Sequence, residues 1–294
     1  MKQRVITGVG IAIFLVGWLF SIFTWGFPVL TALLAVLSAF EIHKVAGVKN
    51  IPLTVISMCV AGVIPLAAGS ERFQAVPALS KTLALIWKNP FLFGIAYVLL
   101  ALILMLALYK KTRFEHVAMS LFAGVAVPMG YASLVLLSSL WVSGSRIANL
   151  FFVMLSFSCA WVTDIFALFT GKAFGKHKLS PNISPKKTVE GAIGGIVCTM
   201  LINLLLLFIF RKIAPNESFA PYFAIAMISI VLSAAGMCGD LSASVIKRNY
   251  GVKDFSNLLP GHGGIMDRFD SCLFVWPCLC VICKLAAMIA EEYI

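Results

Sequence analysis

Long apolar segments alternate with short polar ones along the whole chain. A helix that crosses a bilayer needs roughly 20 predominantly apolar residues, and by this criterion the sequence predicts about nine such helices. They lie near residues 5–23, 27–43, 51–69, 91–109, 117–139, 147–169, 189–210, 221–239 and 271–290. Longer polar segments occupy residues 70–90, 171–188 and 240–270. The pattern therefore predicts an all-α, polytopic integral membrane protein.

The composition excludes the other classes of protein. Of the 294 residues, 61% are hydrophobic and 12% are charged, whereas a soluble domain is roughly half apolar and about a quarter charged. So few charges cannot cover a water-exposed surface, and the same numbers exclude a disordered chain, a collagen and a coiled coil. Nearly all of the eight cysteines lie in apolar runs, where cysteine packs as a small hydrophobe, so we expect no disulfide framework and no zinc site.

The basic residues favour one orientation in the membrane. If the N-terminus is cytoplasmic, the segments on that side contain most of the Lys and Arg residues, as the positive-inside rule requires. The net charge of +11 then indicates loops that face anionic lipid or phosphate-bearing substrates. Basic residues do not alternate with aromatic ones in any patch, so we expect no nucleic-acid partner.

This topology places five carboxylates at the cytoplasmic edge of consecutive predicted helices: Asp164, Glu190, Asp240, Asp267 and Asp270. Ionisable groups at membrane depth are costly and indicate a functional site by default. For Asp164 and Glu190 taken singly, a helix cap or an ion pair is an equally good interpretation. The other three bracket one loop rich in Lys, Arg, Gly and His. They predict a metal–phosphate site, because Mg²⁺ is usually bound by one or two carboxylates together with substrate phosphates.

The polar segment 171–188 ends in Ser184-Pro-Lys-Lys-Thr, directly before a predicted helix. Thr188 is a candidate N-cap for that helix, whose first amides would favour an anion. Lys186 and Lys187 are candidate phosphate ligands, and Ser184 is a further candidate contact. A basic loop that only contacts anionic lipid remains the alternative.

The polar segment 240–270 combines carboxylates, cations and glycines. The side chains that could share one helix face with Asp240 are Ser244, Lys247 and Arg248. The glycines that let the backbone approach a ligand closely are Gly261, Gly263 and Gly264, which flank His262. Asp267 and Asp270 are expected to share a face at the start of the last long helix, with Arg268 beside them. Phosphoryl-type transfer uses such groups, because a metal ion and cations bind and neutralise the phosphates.

Residues 244–270 contain the motif Ser-x-Ile-Lys-Arg-x₄-Lys-Asp-x-Ser-x₂-Leu-Pro-x-His-Gly-Gly-Ile-x-Asp-Arg-Phe-Asp. This motif resembles the signature of the phosphatidate cytidylyltransferases (CDP-diacylglycerol synthases). Gly175-Lys-His-Lys-Leu and Ser184-Pro-Lys-Lys-Thr-x-Glu-Gly also resemble that family, so the specific resemblance covers residues 161–271. The chain departs from the family pattern after Asp164, where Ile165 and Phe166 replace residues that are often small.

The resemblance implies an integral membrane enzyme that transfers CMP from CTP to phosphatidic acid, giving CDP-diacylglycerol and pyrophosphate. It also implies a homodimer that requires Mg²⁺, which a monovalent cation such as K⁺ can accompany. We expect residues 1–140 to form a scaffold and dimerisation region, and residues 141–294 to form the catalytic region. A bacterial cytoplasmic membrane, with the active site facing the cytoplasm, is the expected location.

The site residues follow from the resemblance and from the chemistry of the two polar segments. The residues implied to bind the metal are Asp240 and Asp267. Those expected to act in catalysis are Asp240, Asp267, Asp270, Lys247, Arg248 and Arg268. Those expected to contact substrate are Asp164, Ser184, Lys186, Lys187, Thr188, Glu190, Ser244, His262, Gly263 and Gly264.

Three other functions stay open at this point. A transporter or channel could use the aspartates as a cation relay, but they gather at one membrane face and no inverted repeat is visible. A related CTP-dependent enzyme could use another lipid acceptor, such as a polyprenol or an archaeal lipid, which the signature disfavours. A structural scaffold would have no need for two polar segments of this kind.

Overall fold

The structure, a computed structural model, describes residues 2–139, 145–217 and 219–292, and these are mostly helical. The helices are α1 (Lys2–Phe20), α2 (Gly26–Val45), α3 (Ile51–Ala68), α4 (Pro77–Lys88), α5 (Pro90–Ala107), α6 (Phe114–Leu137), α7 (Arg146–Phe174), α8 (Val189–Ile213), α9 (Tyr222–Asn249), α10 (Met266–Phe269) and α11 (Cys272–Glu292). A 3₁₀ turn covers Ser70–Arg72. Strands β1 (Lys178–Ser180) and β2 (Ser184–Thr188) form one antiparallel hairpin.

Eight helices in the described ranges are long and apolar enough to cross a membrane, namely α2, α3, α5, α6, α7, α8, α9 and α11. Each coincides with one of the predicted segments, so the prediction of an all-α, polytopic membrane protein is confirmed. The remaining predicted segment, 5–23, corresponds to α1, whose apolar part Ile6–Phe20 is shorter than the other eight. The chain is therefore an integral membrane protein.

Two of the long helices contain a π-helical turn. Phe122–Ala126 form one within α6, and Ser158–Val162 form the other within α7. A π turn inserts an extra residue into the helix, so the residues after it project from a different face than in a regular α-helix. Thr163 and Asp164 follow the turn in α7 directly, and their direction depends on it.

All three predicted polar segments are more regular than the sequence indicates: segment 70–90 contains α4, and the other two contain the end of α9 and the hairpin. Helix α9 continues to Asn249, so Asp240 lies inside a helix and not at its end, where the hydropathy pattern places it. Hydropathy marks only the apolar part of a helix and cannot show how far the helix extends into water. In segment 171–188, Ser180 and Ser184 each precede a proline, which favours an extended backbone, and both lie in the hairpin.

The chain forms two compact units. Unit 1 contains Met1–Leu136 and Tyr250–Arg268, and unit 2 contains Leu137–Asn249 and Phe269–Ile294. In unit 1, the Trp18 indole N–H donates to Thr31 Oγ1 (3.1 Å), and the ring stacks on Phe27. The apolar core of unit 1 thus joins α1 to α2.

Unit 2 is built around close contact between α7 and α8. A Cβ atom added to Gly194 would lie 2.6 Å from the side chain of Thr170, so only glycine allows the two helices to approach this closely. Buried hydroxyl groups join the same helices to α9: Thr163 Oγ1 lies 3.0 Å from Thr199 Oγ1 and donates to Ser233 Oγ (2.9 Å). These contacts fix the segment of α7 that carries Asp164.

Candidate functional site

Unit 2 contains a group of aspartates joined by Ser271. The Ser271 hydroxyl donates to Asp164 Oδ2 (3.0 Å), and the Ser271 backbone N–H donates to Asp270 Oδ1 (2.8 Å). Asp270 is only 8% exposed and lies in the turn between α10 and α11. Two of the carboxylates predicted from the sequence are thus held through one serine.

The carboxyl group of Asp270 is difficult to ionise. Burial raises its pKa to about 7, and the negative charges of Asp240 and Asp164 act in the same direction. The ammonium of Lys247, 3.9 Å from Asp270 Oδ2, opposes this rise. Because the carboxylate form is costly here, a cation that binds beside Asp270 would favour its ionisation.

Asp240 and Lys187 form an ion pair between α9 and strand β2. Both side chains are about three-quarters buried, at 24% and 23% exposure, so the pair is shielded from much of the solvent. The sequence assigns Asp240 to metal binding and Lys187 to phosphate binding. The structure brings these two residues together and satisfies the charge of each with the other.

The hairpin is anchored to the first turn of α8. Thr188 Oγ1 accepts a hydrogen bond from the Gly191 N–H (3.1 Å), which confirms Thr188 as the N-cap of α8. The Glu190 carboxylate accepts from the backbone N–H of Lys176 (3.0 Å) and pairs with His177 Nδ1 (2.6 Å). Glu190 therefore holds the segment before β1 through hydrogen bonds, which is the kind of structural role that the sequence left open for it.

The two other candidate site residues of segment 171–188, Lys186 and Ser184, are more accessible than Thr188. Lys186 is exposed on β2, and Ser184 at the start of the strand is half-buried. Lys187 differs from both, because its side chain turns to Asp240.

Part of the predicted face of α9 is confirmed. Ser244 and Lys247 are both buried, at 8% and 7% exposure, and follow Asp240 at helical spacing. Arg248 is on the exposed side of the helix, so it does not share this face. A spacing of eight residues from Asp240 turns Arg248 further around the helix than the seven residues to Lys247.

In unit 1, the residues from Phe255 to Met266, which is the first residue of α10, form a segment that we call the signature loop. Asp267 follows it directly, and its Oδ2 accepts hydrogen bonds from the backbone N–H of Phe255 (2.8 Å) and of Gly264 (3.0 Å). Asp267 thus binds both ends of the loop. Gly263 has a φ of +80°, a backbone conformation that favours glycine, and this explains its place in the motif.

The prediction that Asp267 and Asp270 share the first turn of the last long helix is wrong. That helix begins at Cys272, and Asp267 instead belongs to the separate short helix α10. Arg268, also in α10, is exposed. The imidazole of His262 packs within 3.6 Å of where a Cβ of Gly8 would stand, and its buried Nδ1 has no hydrogen-bond partner.

Glu41 of α2 is a site residue that the sequence reasoning missed. Its side chain is fully buried in unit 1, and its carboxylate accepts from the N–H groups of Ile265 (2.9 Å) and Met266 (2.8 Å). The Ser256 hydroxyl donates to it as well (2.6 Å). A single glutamate in the apolar segment 27–43 was the signal that could have identified it, because such a charge requires partners.

Within residues 2–139, 145–217 and 219–292, no three His, Cys, Asp or Glu side chains are grouped as a ready-made metal site. The carboxylate oxygens of the aspartates are nevertheless the donors that Mg²⁺ prefers. Mg²⁺ usually retains water and takes substrate phosphate oxygens beside one or two carboxylates. The residues present therefore fit a Mg²⁺ ion that enters together with a phosphate substrate.

Comparison with known proteins agrees with this chemistry. The model of the cytidylyltransferase family matches residues 2–286. A phosphatidate cytidylyltransferase of Bacillus subtilis is 35% identical over 95% of this chain and 96% of its own length. One from Staphylococcus haemolyticus is 31% identical over 86% of this chain and 96% of its own length. The similarity thus extends over nearly the whole of these relatives.

Proposed function

This chain belongs to the cytidylyltransferase family, and we propose that it transfers CMP from CTP to phosphatidate, giving CDP-diacylglycerol and pyrophosphate. The observation that carries the proposal is the family match over residues 2–286, together with relatives of this activity aligned over nearly their full lengths. The reaction is a nucleotidyl transfer in phospholipid biosynthesis.

The reaction is a displacement at the α-phosphorus of CTP. A phosphatidate oxygen forms a bond to this phosphorus, and the bond from the phosphorus to the bridging oxygen of the β-phosphate breaks, so that pyrophosphate leaves. A phosphate monoester is already largely ionised near neutral pH, since its second pKa is about 6. The protein therefore needs no strong general base, and its task is to position the phosphates and neutralise their charge.

We assign the Mg²⁺ ligands to Asp240 and Asp267, as the sequence resemblance implies, with Asp270 in support. When bound, Mg²⁺ would neutralise phosphate charge and stabilise the leaving pyrophosphate. A monovalent cation such as K⁺ beside it belongs to the same proposal. The oxygen-only donor set and the motif support this assignment.

The cationic side chains hold the substrate phosphates. Lys187 exchanges its partner Asp240 for a phosphate oxygen when CTP or phosphatidate binds, and Lys247 acts from its buried position beside Asp270. Arg248, Arg268 and Lys186 are exposed, so they can meet phosphates that arrive from solution. Ser244 and Ser184 supply hydroxyl donors, and Asp164 acts through Ser271 on Asp270.

The proposal also includes the membrane, the orientation in it and the oligomeric state. The eight apolar helices and the bacterial relatives support the bacterial cytoplasmic membrane. The distribution of Lys and Arg supports a cytoplasmic N-terminus and an active site that faces the cytoplasm. We also propose that the protein is a homodimer, as the family resemblance implies.

A CMP-transfer assay on the purified protein in detergent tests the function. The reaction contains CTP labelled in its α-phosphate, phosphatidic acid and Mg²⁺, and matched reactions contain EDTA or lack the lipid. We expect label in a lipid product only when both metal and phosphatidic acid are present. Transfer to a polyprenyl phosphate or an archaeal lipid in preference to phosphatidic acid would contradict the proposed acceptor, and uptake of ions into liposomes without CTP would favour a transporter.

A further inference from the structure

Glu41 is placed to hold the signature loop and, through it, Asp267. We infer that Glu41 is a positioning residue for the cation site, an inference that rests on the proposed function because that function gives Asp267 its role. Glu41 lies in α2, far from the motif in sequence, and neither the family match nor the relatives assign it a role.

The Glu41 carboxylate binds the loop at three points. Oε1 accepts from the Ser256 hydroxyl (2.6 Å) and from the Ile265 N–H (2.9 Å), and Oε2 accepts from the Met266 N–H (2.8 Å). Each of these donors is more than 200 positions away from Glu41 in the sequence. The contacts therefore fix a tertiary arrangement that local sequence does not determine.

The same contacts fix the backbone immediately before Asp267. Ile265 and Met266 are the two residues that precede it, and their N–H groups point to Glu41. Asp267 itself binds the N–H groups of Phe255 and Gly264. Backbone donors on the loop are thus divided between two carboxylates, and a change in Glu41 shifts the segment that orients Asp267.

The backbone of the signature loop at Gly264 lies very close to the Glu41 carboxylate. A Cβ atom on Gly264 would lie 2.5 Å from Glu41 Oε2 and 2.7 Å from Oε1. An added Cβ would displace the carboxylate, so glycine at this position lets the loop backbone reach it. This gives Gly264 a physical reason for its place in the motif, beyond backbone freedom.

A buried carboxylate is a costly way to hold a loop, because ionised groups lose hydration inside a protein. Charge-assisted hydrogen bonds offset this cost and are shorter and more directional than neutral ones. Outer-shell partners of metal ligands typically change metal affinity or activity by about 10–100-fold when they are mutated. Glu41 would act on Asp267 in this way, with the backbone as the link.

Glu41→Gln tests the inference with the smallest change in shape. The amide NH₂ replaces one acceptor oxygen, so at least one loop donor then faces another donor. The matched control is Ser38→Ala on the same helix, which removes a buried hydrogen bond to Tyr131 (2.9 Å) and leaves the loop contacts untouched. Ser256→Ala, which removes one of the three bonds, serves as a second variant if Glu41→Gln does not fold.

Two measurements on the full-length protein in detergent do not depend on turnover. Hydrogen exchange followed by mass spectrometry reports the Ile265 and Met266 amides, and electron paramagnetic resonance reports the binding of Mn²⁺ alone. We expect Glu41→Gln to speed exchange at these two amides and to weaken Mn²⁺ binding by about tenfold or more. Ser256→Ala is expected to change both in the same direction but less, and Ser38→Ala is expected to change neither.

The same variants are then assayed for CMP transfer over a range of Mg²⁺ concentrations. For Glu41→Gln we expect a higher half-saturating Mg²⁺ concentration as well as a lower kcat, whereas simple loss of folded protein lowers kcat alone. Unchanged amide exchange and unchanged Mn²⁺ affinity in the folded variants would overturn the positioning role. Absence of CMP transfer in the wild-type protein would instead overturn the proposed function, and the exchange and Mn²⁺ results would still decide whether Glu41 positions a cation site.

Discussion

Lys187 of the hairpin forms an ion pair with Asp240 in the middle of α9. The pair joins the proposed phosphate-binding residue Lys187 to the proposed metal-binding residue Asp240. A cation at Asp240 weakens the attraction of this carboxylate for Lys187, and a phosphate at Lys187 weakens the attraction of the ammonium for Asp240. The two binding events should therefore favour each other.

Lys187→Met should lower CMP transfer by about 10²–10³-fold, the usual effect of removing one group that stabilises charge in the transition state. Lys187→Arg keeps the charge and should retain more activity. Lys178→Met, at an exposed position on the other strand, is the matched control and should retain nearly full activity. Steady-state kinetics with labelled CTP measure the effect, and equal losses in Lys187→Met and Lys178→Met would refute a specific role for Lys187.

Asp240→Asn and Asp267→Asn should each abolish CMP transfer, because an amide is a much poorer Mg²⁺ ligand than a carboxylate. Asp254→Asn changes an exposed aspartate of the same motif and should leave activity close to wild type. Size-exclusion profiles in detergent establish that each variant is folded. Near-normal turnover in Asp240→Asn or Asp267→Asn would remove that residue from the metal assignment.

The raised pKa of Asp270 predicts how stability depends on pH when metal is absent. The pKa is about 7 in the folded protein and near its ordinary value of 3.8 in the unfolded chain. Between these two values the folded protein binds more protons than the unfolded chain, so stability falls as the pH rises through this window and levels off above it. Asp270→Asn lacks this ionisation and does not lose stability in this window. Its Tm relative to that of the wild type should therefore increase from pH 4.5 to pH 7.5.

Thermal unfolding in detergent with EDTA, at a series of pH values, measures this difference. Asp254→Asn, the same substitution at an exposed aspartate of the same motif, provides the comparison. A constant Tm difference between Asp270→Asn and wild type across the range would contradict the raised pKa.

Gly264→Ala should inactivate the enzyme because its Cβ would overlap the Glu41 carboxylate. Shortening that side chain in the double variant Glu41→Asp/Gly264→Ala makes room and should restore part of the activity. Gly94→Ala on α5, where nothing lies within 4 Å of the added atom, is the control for loss of a glycine. An additive loss in the double variant would show that the two positions do not interact.

The sequence predicted the long helices well because crossing a bilayer imposes a length and an apolar composition that a single segment reveals. Hydropathy alone ended α9 near Asp240, since the extension to Asn249 is polar, and only the spacing of Ser244 and Lys247 from Asp240 indicated a helical face there. The hairpin was missed for a similar reason: Ser-Pro pairs indicate extended backbone but do not show which residues pair.

The candidate site was predicted in its residue types and only partly in its arrangement. Motif and charge identified Asp240, Lys187 and Asp270, and the structure places each of them in an ion pair. Glu41 stands out as the single glutamate of an apolar segment, but its partners lie more than 200 residues away and the sequence of α2 does not indicate which they are. Arg248 was placed on the wrong face because a difference of one residue rotates a side chain by about 100° around a helix.

The division of the chain into units has a consequence for how the protein can be shortened or recombined. Residues 250–268 belong with the N-terminal helices, although the segments on either side of them belong to unit 2. A gene fragment that encoded residues 137–294 would specify the loop before Asp267 without the α2 carboxylate that binds it. The N-terminal helices therefore do more than attach the protein to the membrane, because one of them binds the signature loop. A chimera that takes its two halves from different relatives should be most active when Glu41 and the loop come from the same parent.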